Sequence, residues 1–255
     1  MDMRETILGE LRKIEEHCGV RILHAVESGS RAWGFASPDS DYDVRFVYVR
    51  PAADYIRLDT PRDVIEWKDD GVLDINGWDL RKTMVQFARG NATLFEWSES
   101  PVVYQTTGAW AQVRQAAEAY FSEKAAVHHY YGTAKKTWEE HLTGGSVRYK
   151  KYFYALRPLL AAQYIERFHS VPPVLFDELM KMDMDSSLRT AIGRLLEIKK
   201  VTTEGEYHPP MAVVHEFIRE ELPRQKMICD SLPDDREKDW GALNRCFAAV
   251  IGLNI

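Results

Sequence analysis

A chain of 255 residues, 45% hydrophobic and 28% charged, can bury a sizeable core in one large or two smaller domains, which excludes a disordered or fibrous polymer. Its net charge of −6 excludes a general polyanion binder, so any nucleic-acid contact has to come from a local basic patch. Three cysteines without a Cys-x-x-Cys pair (Cys18, Cys229 and Cys246) exclude a disulfide framework and a thiolate zinc site, and fit reduced thiols in a cytoplasmic protein.

The elements follow in chain order. Leu8, Leu11 and Ile14 recur at helical spacing and predict a helix over 3–17 that stops at Gly19. This charged amphipathic start does not read as a signal peptide, and no apolar run approaches the ~20 residues of a membrane span. Residues 20–26 are β-rich and lead into a turn, Ser28-Gly29-Ser30; a loop over 31–40 carries Gly34, Pro38 and Asp39. A second strand is predicted over 42–49, ended by Pro51. Two short β runs, 64–67 and 72–75, flank Lys68-Asp69-Asp70-Gly71, whose Asp-Gly tip signals a hairpin. Asp79 reads as the N-cap of a helix with the apolar stripe Leu80, Met84, Phe87 and Ala88, stopping at Gly90. Beyond about residue 105 strand-like runs disappear. Helical patterns cover roughly 108–120, 122–142, 147–168, 186–200, 210–222 and 240–251, punctuated by Pro172-Pro173, Gly205 and Pro209-Pro210. The expected architecture is α+β: a small mixed-sheet domain over 1–105 and an all-helical domain over 106–255 that forms the other wall of a cleft.

The chemistry concentrates where the second strand begins. Asp41 and Asp43 are two residues apart, so in a strand they project from one face. Adjacent carboxylates raise one another's pKa unless a cation lies between them, and hard oxygen ligands favour Mg2+ or Mn2+. The Gly29-Ser30 turn just upstream offers backbone N–H groups and a hydroxyl to a phosphate. Two metal ions in a phosphoryl-transfer site call for a third carboxylate. Asp74, flanked by Leu73 and Ile75 in a strand, is the first candidate; Asp79, with the look of a helix cap, is the competitor.

Gly29-Ser30, a ten-residue loop, then Asp41-Tyr42-Asp43-Val44 resembles the nucleotidyltransferase signature of the DNA polymerase beta superfamily. The longer run from Glu27 to Gly34 with Ser40 to Arg45 is similar to one branch, the predicted nucleotidyltransferases grouped with RNA-repair operons. Asp79-Leu80-Arg81-Lys82, Gly90-Asn91, Leu94-Phe95-Glu96-Trp97 and the stretch from Arg148 to Leu159 extend the likeness over roughly residues 20–165. The resemblance implies a polymerase beta-like palm domain. It also implies triphosphate binding at Gly29 and Ser30, and metal binding at Asp41, Asp43 and Asp74, with Asp74 nearest the attacking hydroxyl. The implied reaction moves a nucleoside monophosphate from a nucleoside triphosphate, ATP among them, to an acceptor hydroxyl such as an RNA or tRNA 3′ end.

Several residues keep two readings. Residues 148–157 hold four cations, three tyrosines and no acid, and Lys150, Tyr154 and Arg157 share one helix face by spacing. They form either a phosphate clamp or a solvated face over core tyrosines. Arg31 either reaches a phosphate or makes a loop ion pair. Trp33 either stacks on a base or belongs to the core. Arg81 and Lys82 stand in a first helical turn, where cations oppose the helix dipole, which hints at a use. His128-His129 lacks an acidic partner at ligand spacing. For the whole chain, nucleotidylation of a protein or small molecule and a non-catalytic nucleotide- or RNA-binding scaffold remain as alternative functions.

Overall fold

The computed structural model describes residues 2–37, 40–201 and 206–253; Pro38, Asp39 and Gly205 lie outside the described residues. Elements alternate early and become helical late. In chain order they begin with α1 (Met3–Cys18), β1 (Arg21–Glu27), α2 (Gly29–Ala32), β2 (Tyr42–Val49), α3 (Ala52–Tyr55), β3 (Val64–Asp69) and β4 (Leu73–Asp79). Next come α4 (Leu80–Ala88), α5 (Ala92–Ser98), β5 (Val103–Thr106), α6 (Gly108–Ala117), a 3-10 turn (Glu118–Tyr120) and α7 (Glu123–His141). The chain continues with α8 (Tyr149–Phe168), α9 (Phe176–Leu179), α10 (Ser186–Val201), α11 (Ala212–Ser231) and α12 (Gly241–Ile251).

The chain divides into two compact units. One comprises residues 1–32, 41–121 and 236–255; the other comprises 33–40 and 122–235. The packing boundary therefore falls after Phe121 rather than at 105/106, and α6 and α12 both belong with the sheet. The sequence pattern could not place α12, because a helical stripe shows that a face is buried but not which surface covers it.

In the sheet unit a five-stranded sheet runs in the order β3-β4-β2-β1-β5. It is mixed: β2 and β4 pair in parallel, and every other neighbour pair is antiparallel. The β3–β4 hairpin turns at Gly71, whose φ of +78° suits glycine. Helix α1 is capped by the Asp2 carboxylate, which accepts from the Arg4 N–H at 3.3 Å, and it stops at Gly19 in the left-handed region. Its buried stripe is Ile7, Leu11 and Ile14, with Leu8 only partly covered. This stripe packs on Ile22, Ala25, Val44, Phe46, Tyr48, Leu73 and Ile75, one whole face of the central strands. Two differences from expectation lie here. β4 continues to Asp79, because it pairs with both β2 and β3 along its length. β5, only four residues long, carries too little alternation to be read from sequence and is defined by its ladder to β1.

The helical unit is organised around α8, buried on most of its circumference, with α7, α9, α10 and α11 against it. Pro158 interrupts its backbone ladder, since it has no N–H for the Tyr154 carbonyl. The Thr137 hydroxyl donates to that carbonyl at 3.3 Å instead. α11 runs on through Pro223 to Ser231, nine residues past the expected end, because Gln225 and Cys229 are buried in the same packing.

Two predictions follow from the sheet. A Cβ on Gly77 would lie 2.2–2.4 Å from the Phe46 ring. Gly77→Ala should lower the unfolding free energy by about 1–3 kcal/mol, and adding Phe46→Leu should recover part of the loss in urea denaturation. His24 is buried, stacked on Trp110 with ring centroids 4.6 Å apart, and placed between the Thr106 hydroxyl and the Trp97 carbonyl. Burial lowers its pKa to about 4. A base depressed in the folded state binds its proton more readily when unfolded, so stability falls as pH drops from about 6.5 towards 4. The loss should be on the order of 3 kcal/mol, and denaturation of His24→Gln across that range should lack this part of the slope.

Candidate functional site

The site grows from the parallel pairing of β2 and β4. Its register sets Asp43 opposite Asp74 and Arg45 opposite Asn76. All four side chains alternate away from the face covered by α1, so they stand together on the other face near the amino ends of the two strands. Arg45 is the centre of this group. Its Nη2 donates to Asp43 Oδ1 at 3.1 Å and to Asp74 Oδ2 at 2.6 Å, and its Nη1 reaches the Asp74 carbonyl at 3.1 Å. Asn76 Nδ2 donates to Asp74 Oδ1 at 3.3 Å. The two carboxylates are about one-third exposed, so solvent and ligands can reach them.

The Gly-Ser turn is fastened to Asp43 through the backbone. The Ser28 N–H donates to the Asp43 carbonyl at 2.8 Å, and the Asp43 N–H donates to Glu27 Oε1 at 2.7 Å. Gly29 has φ +61°, and a Cβ on it would lie 2.3 Å from Asp43 Oδ2. No other residue type can bring the turn this close to that carboxylate. Ser30 is buried in the short helical turn α2. Arg31 folds back over the Tyr42 ring at 3.7 Å and donates from Nε to the Asp41 carbonyl at 3.0 Å.

Glu27 supports all of this from within. It is 1% exposed; its carboxylate also accepts from the Tyr104 hydroxyl, while the Ser100 hydroxyl donates to its carbonyl at 2.7 Å. Burial pushes the Glu27 carboxyl above its ordinary range, and the Tyr104 and Asp43 hydrogen bonds partly offset that. β5 therefore acts on the site through Tyr104, although no site residue lies on it.

The expected residues are brought together unevenly. Asp43 and Asp74 converge; Asp41 precedes the β2 ladder and is exposed, and among the described residues no three carboxylate, imidazole or thiolate groups are gathered to hold a metal ion. The donor chemistry of Asp43 and Asp74 fits a hard divalent cation, with the Arg45 guanidinium as their positive partner in this structure. Asp79 lies elsewhere. Five residues on, it faces the opposite side of β4, is 4% exposed, caps α4 by accepting from the Arg81 N–H at 2.8 Å, and accepts from the Tyr55 hydroxyl at 2.9 Å. Burial raises its pKa.

Lys150, Tyr154 and Arg157 belong to the helical unit. Arg157 is 2% exposed, its guanidinium 4.6 Å above the Trp33 ring, and its Nε donates to the Val174 carbonyl at 3.4 Å. Tyr154 meets Trp33 edge-on at 5.6 Å. Trp33 is thus engaged by protein side chains within its own unit, and its carbonyl accepts from the Phe176 N–H at 2.9 Å. Sequence reasoning missed the parts played by Arg45, Asn76 and Glu27. The signal was present: Arg45 and Asn76 each follow an aspartate by two residues, one strand period, and Glu27 is an acid closing an apolar strand.

Residues 3–249 match the RNA repair pathway DNA polymerase beta family (RlaP). The chain is 41% identical over 245 residues to the uncharacterized protein YcgL of Bacillus subtilis (strain 168), covering 95% of this chain and 94% of that protein. Among solved structures, a nucleotidyltransferase-like protein from Exiguobacterium sibiricum 255-15 aligns over 90% of this chain and 75% of its own, at 10% identity and a TM-score of 0.30, a likeness too weak to bear on the fold. With its match running almost end to end, the chain belongs to the RNA repair pathway DNA polymerase beta family and is a nucleotidyltransferase.

Proposed function

We propose that the protein transfers a nucleoside monophosphate from a nucleoside triphosphate to the hydroxyl of an RNA end, tRNA included, with Mg2+ or Mn2+ held by Asp43, Asp74 and Asp41. The observation that carries this reading is the pairing of Asp43 with Asp74 across parallel strands, with the Gly29 turn packed directly on Asp43. A divalent cation at these carboxylates supplies charge to neutralise the polyphosphate and lowers the pKa of the attacking hydroxyl. In the reaction the hydroxyl oxygen bonds to the α-phosphorus, the bond from that phosphorus to the bridging oxygen breaks, and pyrophosphate leaves.

The chain's own groups divide the work. Gly29 and Ser30 place the turn where the β- and γ-phosphates bind, with Arg31 beside it. Asp74 accepts the hydroxyl proton in this reading; its hydrogen bonds from Asn76 and Arg45 fix its orientation. Arg45 places its positive charge between the two carboxylates until a cation takes over that role. Triphosphate contacts expected of Lys150 and Tyr154 belong to the same proposal, with the buried Arg157 acting through the Trp33 loop that it holds. A cytoplasmic location is part of the reading too; among the described residues no helix is long and apolar enough to cross a membrane.

The test is label transfer from each α-labelled nucleoside triphosphate into RNA, protein or no acceptor. Asp43→Asn and Asp74→Asn should each reduce transfer by about 100-fold or more, and Asp41→Asn should also impair it, with circular dichroism unchanged. Near-wild-type transfer by Asp43→Asn or Asp74→Asn would sink the assignment. Label entering protein would favour protein nucleotidylation, and nucleotide binding without pyrophosphate release would favour a scaffold.

Arg45 gives a second prediction. Arg45→Met removes the guanidinium that lies between Asp43 and Asp74, so its melting temperature in EDTA should fall, by a free energy on the order of 1 kcal/mol. Added Mn2+ should restore more stability to the variant than to the wild type, and calorimetric Mn2+ affinity should rise. An unchanged Mn2+ affinity would show that Arg45 does not compete with the cation.

A further inference from the structure

The aspartate pair stands at the amino ends of β2 and β4. At their carboxyl ends the sheet unit has a cavity of about 430 Å³ with a different chemistry. Along β4 alone the two places are separated by roughly 16 Å, five residues at strand rise. The cavity wall carries five cations, Arg50, Arg62, Arg81, Lys82 and Arg89, against three carboxylates, Asp54, Asp63 and Asp79. In a chain of net charge −6 this is a local excess of positive charge.

The carboxylates are already engaged. Asp79 is the cap of α4 and lies 4.0 Å from Arg50 Nε; Asp63 pairs with Lys82 at 3.2 Å; Asp54 faces Arg57, outside the cavity, at 3.5 Å. Three arginines are left over. Arg62 meets the exposed Glu66 at 3.3 Å, a pair worth little in water. The Arg81 guanidinium is held by a carbonyl and two rings: its Nη2 donates to the Tyr55 carbonyl at 2.6 Å, and it lies over the Tyr55 and Phe247 rings at 5.1 and 5.9 Å. Arg89 is exposed, eight residues further along the same helix face.

The helix itself adds the second argument. α4 buries Leu80, Thr83, Met84, Phe87 and Ala88 on one face and turns Arg81, Lys82, Val85 and Gln86 to the cavity, which its C-cap residue Arg89 also lines. Two cations in its first turn oppose the helix dipole, a cost in the isolated fold that a bound anion would reverse. The catalytic reading uses none of these residues.

We propose that this cavity is a phosphate-binding site, separate from the Asp43–Asp74 site, in which Arg81 and Arg89 hold the phosphates of an RNA strand or of a free nucleotide. Arg81 is oriented for a phosphate oxygen by its ring stack and carbonyl anchor, and Arg89 supplies a second contact along the helix. The cavity admits a phosphate with its sugar.

The test uses the full chain and Arg81→Gln/Arg89→Gln, with Arg12→Gln/Lys13→Gln on α1 as a control for bulk charge. Single-stranded RNA is titrated against salt by fluorescence anisotropy, and ATP and inorganic phosphate are titrated calorimetrically without metal. If the strand backbone is the ligand, the cavity variant loses at least about fivefold in affinity and its log–log salt slope shrinks by about 1.4, two contacts at 0.7 each, while the control keeps the wild-type slope. If a free nucleotide is the ligand, the wild type binds an equivalent of ATP that the cavity variant lacks, and RNA binding is unchanged. Equal binding of RNA, ATP and phosphate by wild type and cavity variant overturns the site. Should the double variant melt early, Arg89→Gln, which alters only an exposed side chain, gives the same comparison with half the change in slope. None of these readouts depends on transfer activity, so the phosphate site and the proposed reaction can fail independently.

Discussion

The register between β2 and β4 is the constraint on which the rest depends. Parallel strands place residue against residue along both chains, so a shift by one would send Asp74 to the α1 face and leave Asp43 opposite an apolar side chain. The register is held because the same shift would expose Ile75 and Val44, which are fully buried against α1. Burial of apolar area on one face thus positions two carboxylates on the other. Bringing them together costs Coulomb energy, and Arg45, one strand period beyond Asp43, offsets it.

A second layer of constraint lies beneath the Gly-Ser turn. Glu27 is a buried acid whose hydrogen bonds come from Tyr104 on β5 and from the Asp43 N–H on β2, so it links three strands at the point where β1 ends. An unpartnered carboxylate there would cost several kcal/mol, so these bonds are demanding in geometry. They fix the height of Ser28 and Gly29 above Asp43, and Gly29 has no side chain to oppose the approach. The sheet unit keeps its polar chemistry at two ends: carboxylates bridged by Arg45 at one, and an excess of guanidinium groups at the other.

The helical unit follows different rules. Phe35 packs with helices far along the chain, its ring against Phe153 and Phe176 and its carbonyl accepting from the Lys199 ammonium. Arg157 illustrates the risk in reading a cation on a helix face as a ligand contact. Spacing put it beside Lys150 and Tyr154, but α8 is buried on nearly every side, and the guanidinium lies over an indole ring with its Nε directed at a carbonyl. A pattern of three residues cannot report how many neighbours a helix has.

Local chemistry was legible from the chain itself. Strand β2 over Tyr42–Val49, the Gly71 hairpin tip, the Asp79 cap and the Gly19 stop all follow from side-chain period, φ preference and hydrogen-bonding groups within a few residues. So did the aspartates and the Gly-Ser turn, since their spacing is a property of sequence. Tertiary structure alone decided which carboxylate stands opposite Asp43, because Asp74 and Asp79 lie on opposite faces of one strand and only strand pairing assigns those faces. It decided the guanidinium between Asp43 and Asp74, the β5 tyrosine under Glu27 and the return of α12 to the sheet unit. Each joins residues remote in sequence, and such contacts are selected by packing and by the cost of burying an unpaired polar group, neither of which a local pattern contains.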